Sequence, residues 1–368
     1  MMRVAVLGAN GFVGNRIVEM LHLSGAAQVR PIVRRAAAAA LPRRFDLDVR
    51  VADAADRPGL ALALQDCDVL VVAVAGDPET IVGTVEPVYQ AAQDAGVRRL
   101  VYLSSASVHG QAPAAGVNED SPLSDRQPMA YNNAKVRAEQ ALARLRLAGR
   151  VETVVLRPGI VFGPRSQWVG GWADELLSGQ AYVVDGARGA CNSIYVDNLV
   201  HAVMLAAVSE RADGRVYLVG DREQPSWRDL YGPITEALGR SLDQLPDRPA
   251  SAAVGEAAPS RLQALRRAAP VKALARLLPR PVRVGVGAGL NAYRARSGVS
   301  SGGRSTEPAV SLERALLQTG AVQIPWIRAE VELGYAPVVS FDEGLRRSIA
   351  WLEYAGYPVV SAKGRAGR

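Results

Sequence analysis

The alternation of short apolar runs with amphipathic stretches over the first 220 residues restricts what this 368-residue chain can become. Seven runs rich in Val and Leu recur: "RVAVLG" (3–8), "VRPIVR" (29–34), "DVRVAD" (48–53), "DVLVVAVA" (68–75), "RLVYLSS" (99–105), "VETVVLRP" (151–158) and "RVYLVGD" (215–221). Each is too short for a helix and apolar on both faces, as a strand covered by helices on two sides must be. The intervening stretches, including 15–25, 80–96 and 131–149, have helical periodicity and close on a glycine. Strands joined by helical crossovers run parallel, so the expected class is α/β, a doubly wound parallel sheet of about seven strands.

After residue 222 the pattern changes. Helical segments at 225–239, 259–278 and 311–319 alternate with Pro/Gly-rich stretches, among them the loop-like "SGVSSGGRSTEP" (297–308). The stretch 333–357 offers an extended piece and then a helix capped by Ser340 or Asp342. The expected organisation is a dinucleotide-binding domain over 1–165, completed by 191–222, and a smaller substrate-binding subdomain from 166–190 and 223–357. Residues 358–368 read as a flexible tail.

Composition removes several function classes. No run approaches the ~18 apolar residues of a membrane span. Two cysteines, Cys67 and Cys191, and three scattered histidines supply neither a disulfide framework nor a metal site, and a cytoplasmic setting is expected. The net charge of +7 is concentrated in residues 240–304, which carry +9. That segment lacks interleaved aromatics or a reading motif, so nucleic acid is not the expected partner. Within it, 260–290 interleaves leucines with Arg and Lys and suits peripheral contact with an anionic membrane, although Pro270 interrupts it.

"VAVLGANGFVG" sets Gly8, Gly11 and Gly14 directly after the first strand and at the start of a helix, with Phe12 among the candidate cofactor contacts. Glycine allows the tight turn and lets backbone N–H groups approach a pyrophosphate at a helix N-terminus, and the surrounding βαβ unit is the context that confirms such a match. The sheet is thereby a Rossmann-type sheet. Where an NAD site commonly carries an acid, this chain has Arg34 and Arg35, whose guanidinium groups suit a 2′-phosphate. NADP is favoured over NAD. Asp53 is a candidate partner for the adenine amino group.

The chemistry points to "MAYNNAK" (129–135). Of 43 basic residues only three are lysines, and one of them is Lys135, a helical turn after Tyr131. An ammonium beside a phenol favours the phenolate, so the expected effect on Tyr131 is a lowered pKa. The fifth strand ends upstream in Ser104 and Ser105, at the sheet edge where α/β ligands bind. Hydroxyl, phenol and ammonium are what a ketone or secondary alcohol exchanging hydride needs.

These residues together resemble the extended short-chain dehydrogenase/reductase superfamily, in its NAD-dependent epimerase/dehydratase type. "GANGFVG", "SSASVHG", "YNNAK", "RPGIVFGPR" (157–165), "SIYVDNLVHAV" (193–203) and "LGYAPVVSFDEGLRRSIAWL" (333–352) match its landmarks in order. The resemblance implies Ser105 as substrate-binding serine, Tyr131 as acid/base and Lys135 as the residue that binds ribose and tunes the phenol. It places Arg157, Pro158 and Gly159 near nicotinamide and substrate, and homodimers are common in the family. Its dehydratases carry Asp-Glu where this chain has Ala106 and Ser107, which argues against that activity. Thr80 occupies the position of a frequent catalytic asparagine. Its UDP-sugar epimerases use an Arg-Asp pair where this chain has Cys191 and Asn192, so Arg165 or Arg188 would have to bind a diphosphate.

Three functions follow. The leading one is an NAD(P)-dependent oxidoreductase or epimerase acting on a nucleotide-activated sugar. The second, supported by the missing arginine and by "YVDN" in place of "YVDD", is a dehydrogenase or reductase of a hydrophobic alcohol, similar to 3β-hydroxysteroid dehydrogenases. The third is a non-catalytic dinucleotide-binding module.

Overall fold

The computed structural model describes residues 1–254 and 309–360. The basic stretch 260–290, the helix expected at 259–278, the loop at 297–308 and residues 361–368 of the tail lie outside the described residues.

Ten strands concern the site: β1 (Arg3–Leu7), β2 (Gln28–Val33), β3 (Arg50–Val51), β4 (Val69–Val72), β5 (Arg99–Leu103), β6 (Glu152–Pro158), β7 (Ile160–Phe162), β8 (Val183–Val184), β9 (Ser193–Tyr195) and β10 (Arg215–Val219). Seven form one parallel sheet in the order β10-β6-β5-β4-β1-β2-β3. Its chain order reverses at β1, whose Leu7 lies beside Ile32 on one side and Val72 on the other. The crevice beyond the carboxyl end of β1 is therefore the ligand-binding edge.

The period of two sorts each strand's side chains onto two faces. Val4, Val6, Val69, Val71, Val101, Val154 and Leu156 enter one core with α1 (Phe12–Leu23) and α7 (Val196–Val208). Their neighbours Ala5, Leu7, Leu70, Val72, Leu100, Tyr102 and Val155 enter the opposite core with α2 (Arg57–Ala63), α4 (Val85–Asp94) and α5 (Ala130–Ala148). A third core belongs to the smaller lobe and joins Phe162, Trp172, Trp227, Ile234, Phe341 and Leu352.

Two features depart from the sequence expectation. The helix expected over 80–96 is two, Pro78–Gly83 and α4, because Pro87 has no N–H to give and its ring collides with the preceding turn. In addition, Ile327–Leu333 is a helix, and it packs with the sheet layer. Ala329, Leu333 and Tyr335 are buried in the core of α1 and α7. The C-terminal helix Phe341–Tyr354 is capped by Ser340, whose Oγ accepts from the Glu343 amide. Among the described residues no helix is long and apolar enough to cross a membrane, and no group of His, Cys, Asp and Glu is arranged to hold a metal ion.

Candidate active site

The glycine-rich turn has the shape its spacing implies. Gly8 sits at φ +89°, where a Cβ would stand 2.6 Å from the Ala73 carbonyl oxygen, and a Cβ on Gly14 would stand 2.3 Å from that of Gly8. The Gly11 amide donates to the Gly8 carbonyl at 2.9 Å, and α1 starts at Phe12 with its first amides free of helical partners. Asn15, fully buried one turn on, takes a 2.6 Å hydrogen bond from Arg165 on Oδ1 while its Nδ2 has no partner among the described residues. Arg34 and Arg35 are exposed at the end of β2, with no carboxylate partner among the described residues. Asp53 is exposed after β3 and accepts from the Ala55 amide at 3.0 Å. A close-approach turn, an unspent buried donor and two unpaired guanidinium groups fit an anionic dinucleotide.

The candidate catalytic residues gather at the ends of β5 and α5. Lys135 is 2 % exposed, and its Nζ donates to the Leu103 carbonyl at 2.8 Å. It lies 5.1 Å from the Tyr102 ring centre and 5.9 Å from that of Tyr131. Burial pushes its pKa down to about 8, against the opposing pull of Glu139. Ser105 Oγ meets Ser107 Oγ at 2.9 Å and also reaches the Tyr131 hydroxyl. At the phenol the electrostatic balance runs opposite to the lowering expected from Lys135. Desolvation raises the Tyr131 pKa although the residue as a whole is 39 % exposed, Ser105 offsets part of the rise, and Glu313 adds to it. In the structure as it stands, desolvation outweighs the neighbouring ammonium.

Arg157 is a second correction. Its guanidinium turns inward, 2.7 Å from Glu139, and also meets the Glu119 carbonyl and His109 Nε2, each at 3.1 Å. With four of its five N–H donors spent on these partners and 3 % exposed, it serves the internal network, whereas the following Pro158 lines the cavity beside Ser105. Glu139 also accepts from Ser104 Oγ, so one carboxylate ties α5 to the ends of β5 and β6. Burial and the Arg157 charge push His109 down to about 4 and keep it neutral. Sequence reading missed Glu139, although its place one turn beyond Lys135 was a usable signal. Thr80 spends its hydroxyl on Asp77 at 3.1 Å as part of a helix cap.

The cavity beside Ser105 is also lined by Gln111, Pro113, Pro158, Ile160, Asn192, Trp227, Leu317 and Ile324, and by no charged side chain among the described residues. Asn192 works as a clamp: Oδ1 accepts from the Ile324 amide at 2.7 Å and Nδ2 donates to the Val322 carbonyl at 3.0 Å. Of the two arginines considered for a diphosphate, Arg165 turns to Asn15 and Arg188 is exposed outside this lining.

"YVDN" is explained by the fold and says nothing about substrate. Asp197 is gripped by Arg16 at 2.6 Å and Arg347 at 3.3 Å, which joins α1 and α7 to the C-terminal helix. Asn198 donates to Asp221 Oδ1 at 2.7 Å and to the Val339 carbonyl at 2.8 Å, and accepts from the Val338 and Val339 amides. Asp221 is buried, and burial pushes its pKa up to about 6. Asn198→Asp should therefore destabilise the protein by about 2–3 kcal/mol at neutral pH, by losing both donors and setting two carboxylates together. Both folded pKa values then lie above the unfolded value of about 3.9, so this contribution is present at low pH and lost as pH rises. Thermal melting across pH 4 to 8 checks it. The deficit relative to the parent should be largest above the Asp221 pKa of about 6, and a pH-independent deficit would contradict the argument.

The chain is similar to known proteins. A model of the 3-beta hydroxysteroid dehydrogenase/isomerase family matches residues 5–246. The 3 beta-hydroxysteroid dehydrogenase/Delta 5→4-isomerase of Mycobacterium tuberculosis is 30 % identical over 261 residues, 65 % of this chain and 70 % of that protein. UDP-glucose 4-epimerase of Vibrio cholerae is 26 % identical over 260 residues, covering 66 % and 78 %. Among solved structures, the dTDP-glucose 4,6-dehydratase DesIV of Streptomyces venezuelae, with NAD and TYD bound, superposes with a TM-score of 0.69. It covers 96 % of this chain and 97 % of its own at 19 % identity, a likeness of fold. With the glycine turn, the Ser105–Tyr131–Lys135 set and the family match in agreement, the chain belongs to the 3-beta hydroxysteroid dehydrogenase/isomerase family and is an NAD(P)-dependent enzyme of the extended short-chain dehydrogenase/reductase type.

Proposed function

We propose that the protein interconverts a hydrophobic secondary alcohol and its ketone with NADP. The observation that carries the substrate class is the uncharged, largely apolar lining of the cavity beside Ser105. A diphosphate buried there would meet no cation among the described residues, which is costly, whereas an apolar ring system gains from the same walls. The cavity itself, about 50 Å³, admits the reacting group alone. Gly110 and Gln111 also line a groove of about 510 Å³, walled by Val108, Val117, Pro122 and Leu316, with room for the body of a larger molecule.

The dinucleotide would be held by Gly8, Gly11 and Gly14 at its pyrophosphate, with Phe12 at the helix start, and by Arg34 and Arg35 at a 2′-phosphate. Asp53 would serve the adenine, and Lys135 would use its remaining donors on the ribose. When bound, the nicotinamide supplies or accepts the hydride. Ser105 holds the substrate oxygen, and Tyr131 gives that oxygen a proton in reduction or takes one in oxidation.

The sugar-nucleotide reading rests on relatives such as the UDP-glucose 4-epimerase of Vibrio cholerae. Nicotinamide absorbance for the steroid, and chromatographic detection of the epimer for UDP-glucose, whose epimerisation leaves no net NAD(P)H change, decide between the two. A 3β-hydroxysteroid with NADP should turn over faster than with NAD, and UDP-glucose should be inert. Turnover of UDP-glucose with no response to the steroid would reverse the assignment.

A further inference from the structure

A guanidinium group can only donate hydrogen bonds, so His109 Nε2, 3.1 Å from Arg157 Nη1, is the accepting nitrogen of that pair. Burial and the Arg157 charge hold the ring neutral, its pKa pushed down to about 4. A neutral imidazole carries one N–H, and with Nε2 accepting it must be at Nδ1. Arg157 is itself fixed by Glu139 and the Glu119 carbonyl. A buried ion pair thus sets the tautomer of His109.

The Nδ1–H has no acceptor among the described residues. His109 is half-buried and lines the groove of about 510 Å³ given above to the substrate body. Nδ1 does not belong to the enclosed polar atoms that lack a partner, so it is open to that groove and not sealed inside the wall. Neighbouring amides of the same wall are already committed. Gln127 Nε2 donates to the Val108 carbonyl at 2.7 Å and the Ser124 carbonyl at 2.9 Å, and its Oε1 accepts from Asn132 at 2.9 Å. Gln111 donates to Glu313 at 2.9 Å. His109 therefore offers an oriented donor beside Val108, Val117, Pro122 and Leu316.

We infer that His109 is a specificity-determining residue whose Nδ1–H donates to a second substrate oxygen, carried by the body of the molecule in the groove. This rests on the proposed hydrophobic-alcohol class. Ser105 caps the 3-10 turn Ala106–His109, and four residues at about 2 Å each set the two oxygens on the order of 8 Å apart. The second oxygen must accept, as a ketone does.

The probes are 5α-androstan-3β-ol, a flat alcohol with no other oxygen, and its 7-oxo, 11-oxo and 17-oxo derivatives, each assayed with NADP. At least one ketone should exceed the plain alcohol by about five-fold in kcat/KM, the net worth of one hydrogen bond, and the gain should lie in KM. His109→Phe, which keeps a ring and removes the N–H, should bring that ketone down to the level of the plain alcohol. His109→Asn, whose amide nitrogen can stand where Nδ1 stands, should retain most of the preference. Equal values for all four probes with the parent enzyme would overturn the inference, even if the variants failed to fold. So would a preference that survives in His109→Phe, the result expected if the imidazole serves water alone. Loss of the preference in His109→Asn as well would assign it to ring packing and overturn the inference too. If the parent enzyme turns over none of the probes, the hydrophobic-alcohol reading itself has failed and the inference falls with it.

Discussion

Tyr131→Phe is expected to lower turnover by about a thousand-fold, the usual worth of a positioned acid/base. The substitution removes one oxygen and leaves the ring in place beside Lys135. Dinucleotide affinity should change little, because the glycine turn and the arginine pair lie on other elements. The two effects separate cleanly: steady-state rates report the proton transfer, and fluorescence titration of the bound nucleotide reports the cradle. The raised pKa of the phenol sharpens the expectation. Tyr131 stays protonated throughout the neutral range and is ready to donate in the reductive direction. In the oxidative direction it must lose its proton, so rates should climb with pH. Full activity of Tyr131→Phe would remove this mechanism.

Arg157→Met should cost about 3–5 kcal/mol of folding free energy, as breaking one side of a buried ion pair generally does. Glu139 would be left enclosed with Ser104 as its principal remaining partner. The double variant Glu139→Met with Arg157→Met should regain most of the loss, since two apolar side chains can fill the space without a stranded charge. Chemical denaturation of the parent, both single variants and the double variant measures the coupling directly. A loss below about 1 kcal/mol in Arg157→Met would mean the pair is no stronger than an exposed one.

Most of the sheet was legible because its code is local. Runs such as Val69–Val72 are apolar at every position, and only a strand buried on both faces uses such a run at that length. The turn at Gly8–Gly14 and the pair Tyr131 and Lys135 were legible for the same reason, since one strand-to-helix junction or one helical turn contains each. What stayed hidden depends on distance along the chain. Arg157 looked like a cofactor ligand because nothing near it in sequence announces Glu139 or the Glu119 carbonyl as its partners. Asn192 looked like a vacated anion site, when its amide group instead fastens Val322 and Ile324. Trp227 gave no signal at all. It lines the same cavity as Leu317 and Ser105, which come from distant segments.

The helix Ile327–Leu333 has a consequence for how the molecule comes into being. Ala329, Leu333 and Tyr335 close the same core as Val4 and Ile17. One side of the nucleotide-binding half therefore stays wet until residues 327–335 have emerged from the ribosome. The two lobes mature together, and a cut between them would not release a self-sufficient nucleotide-binding fragment.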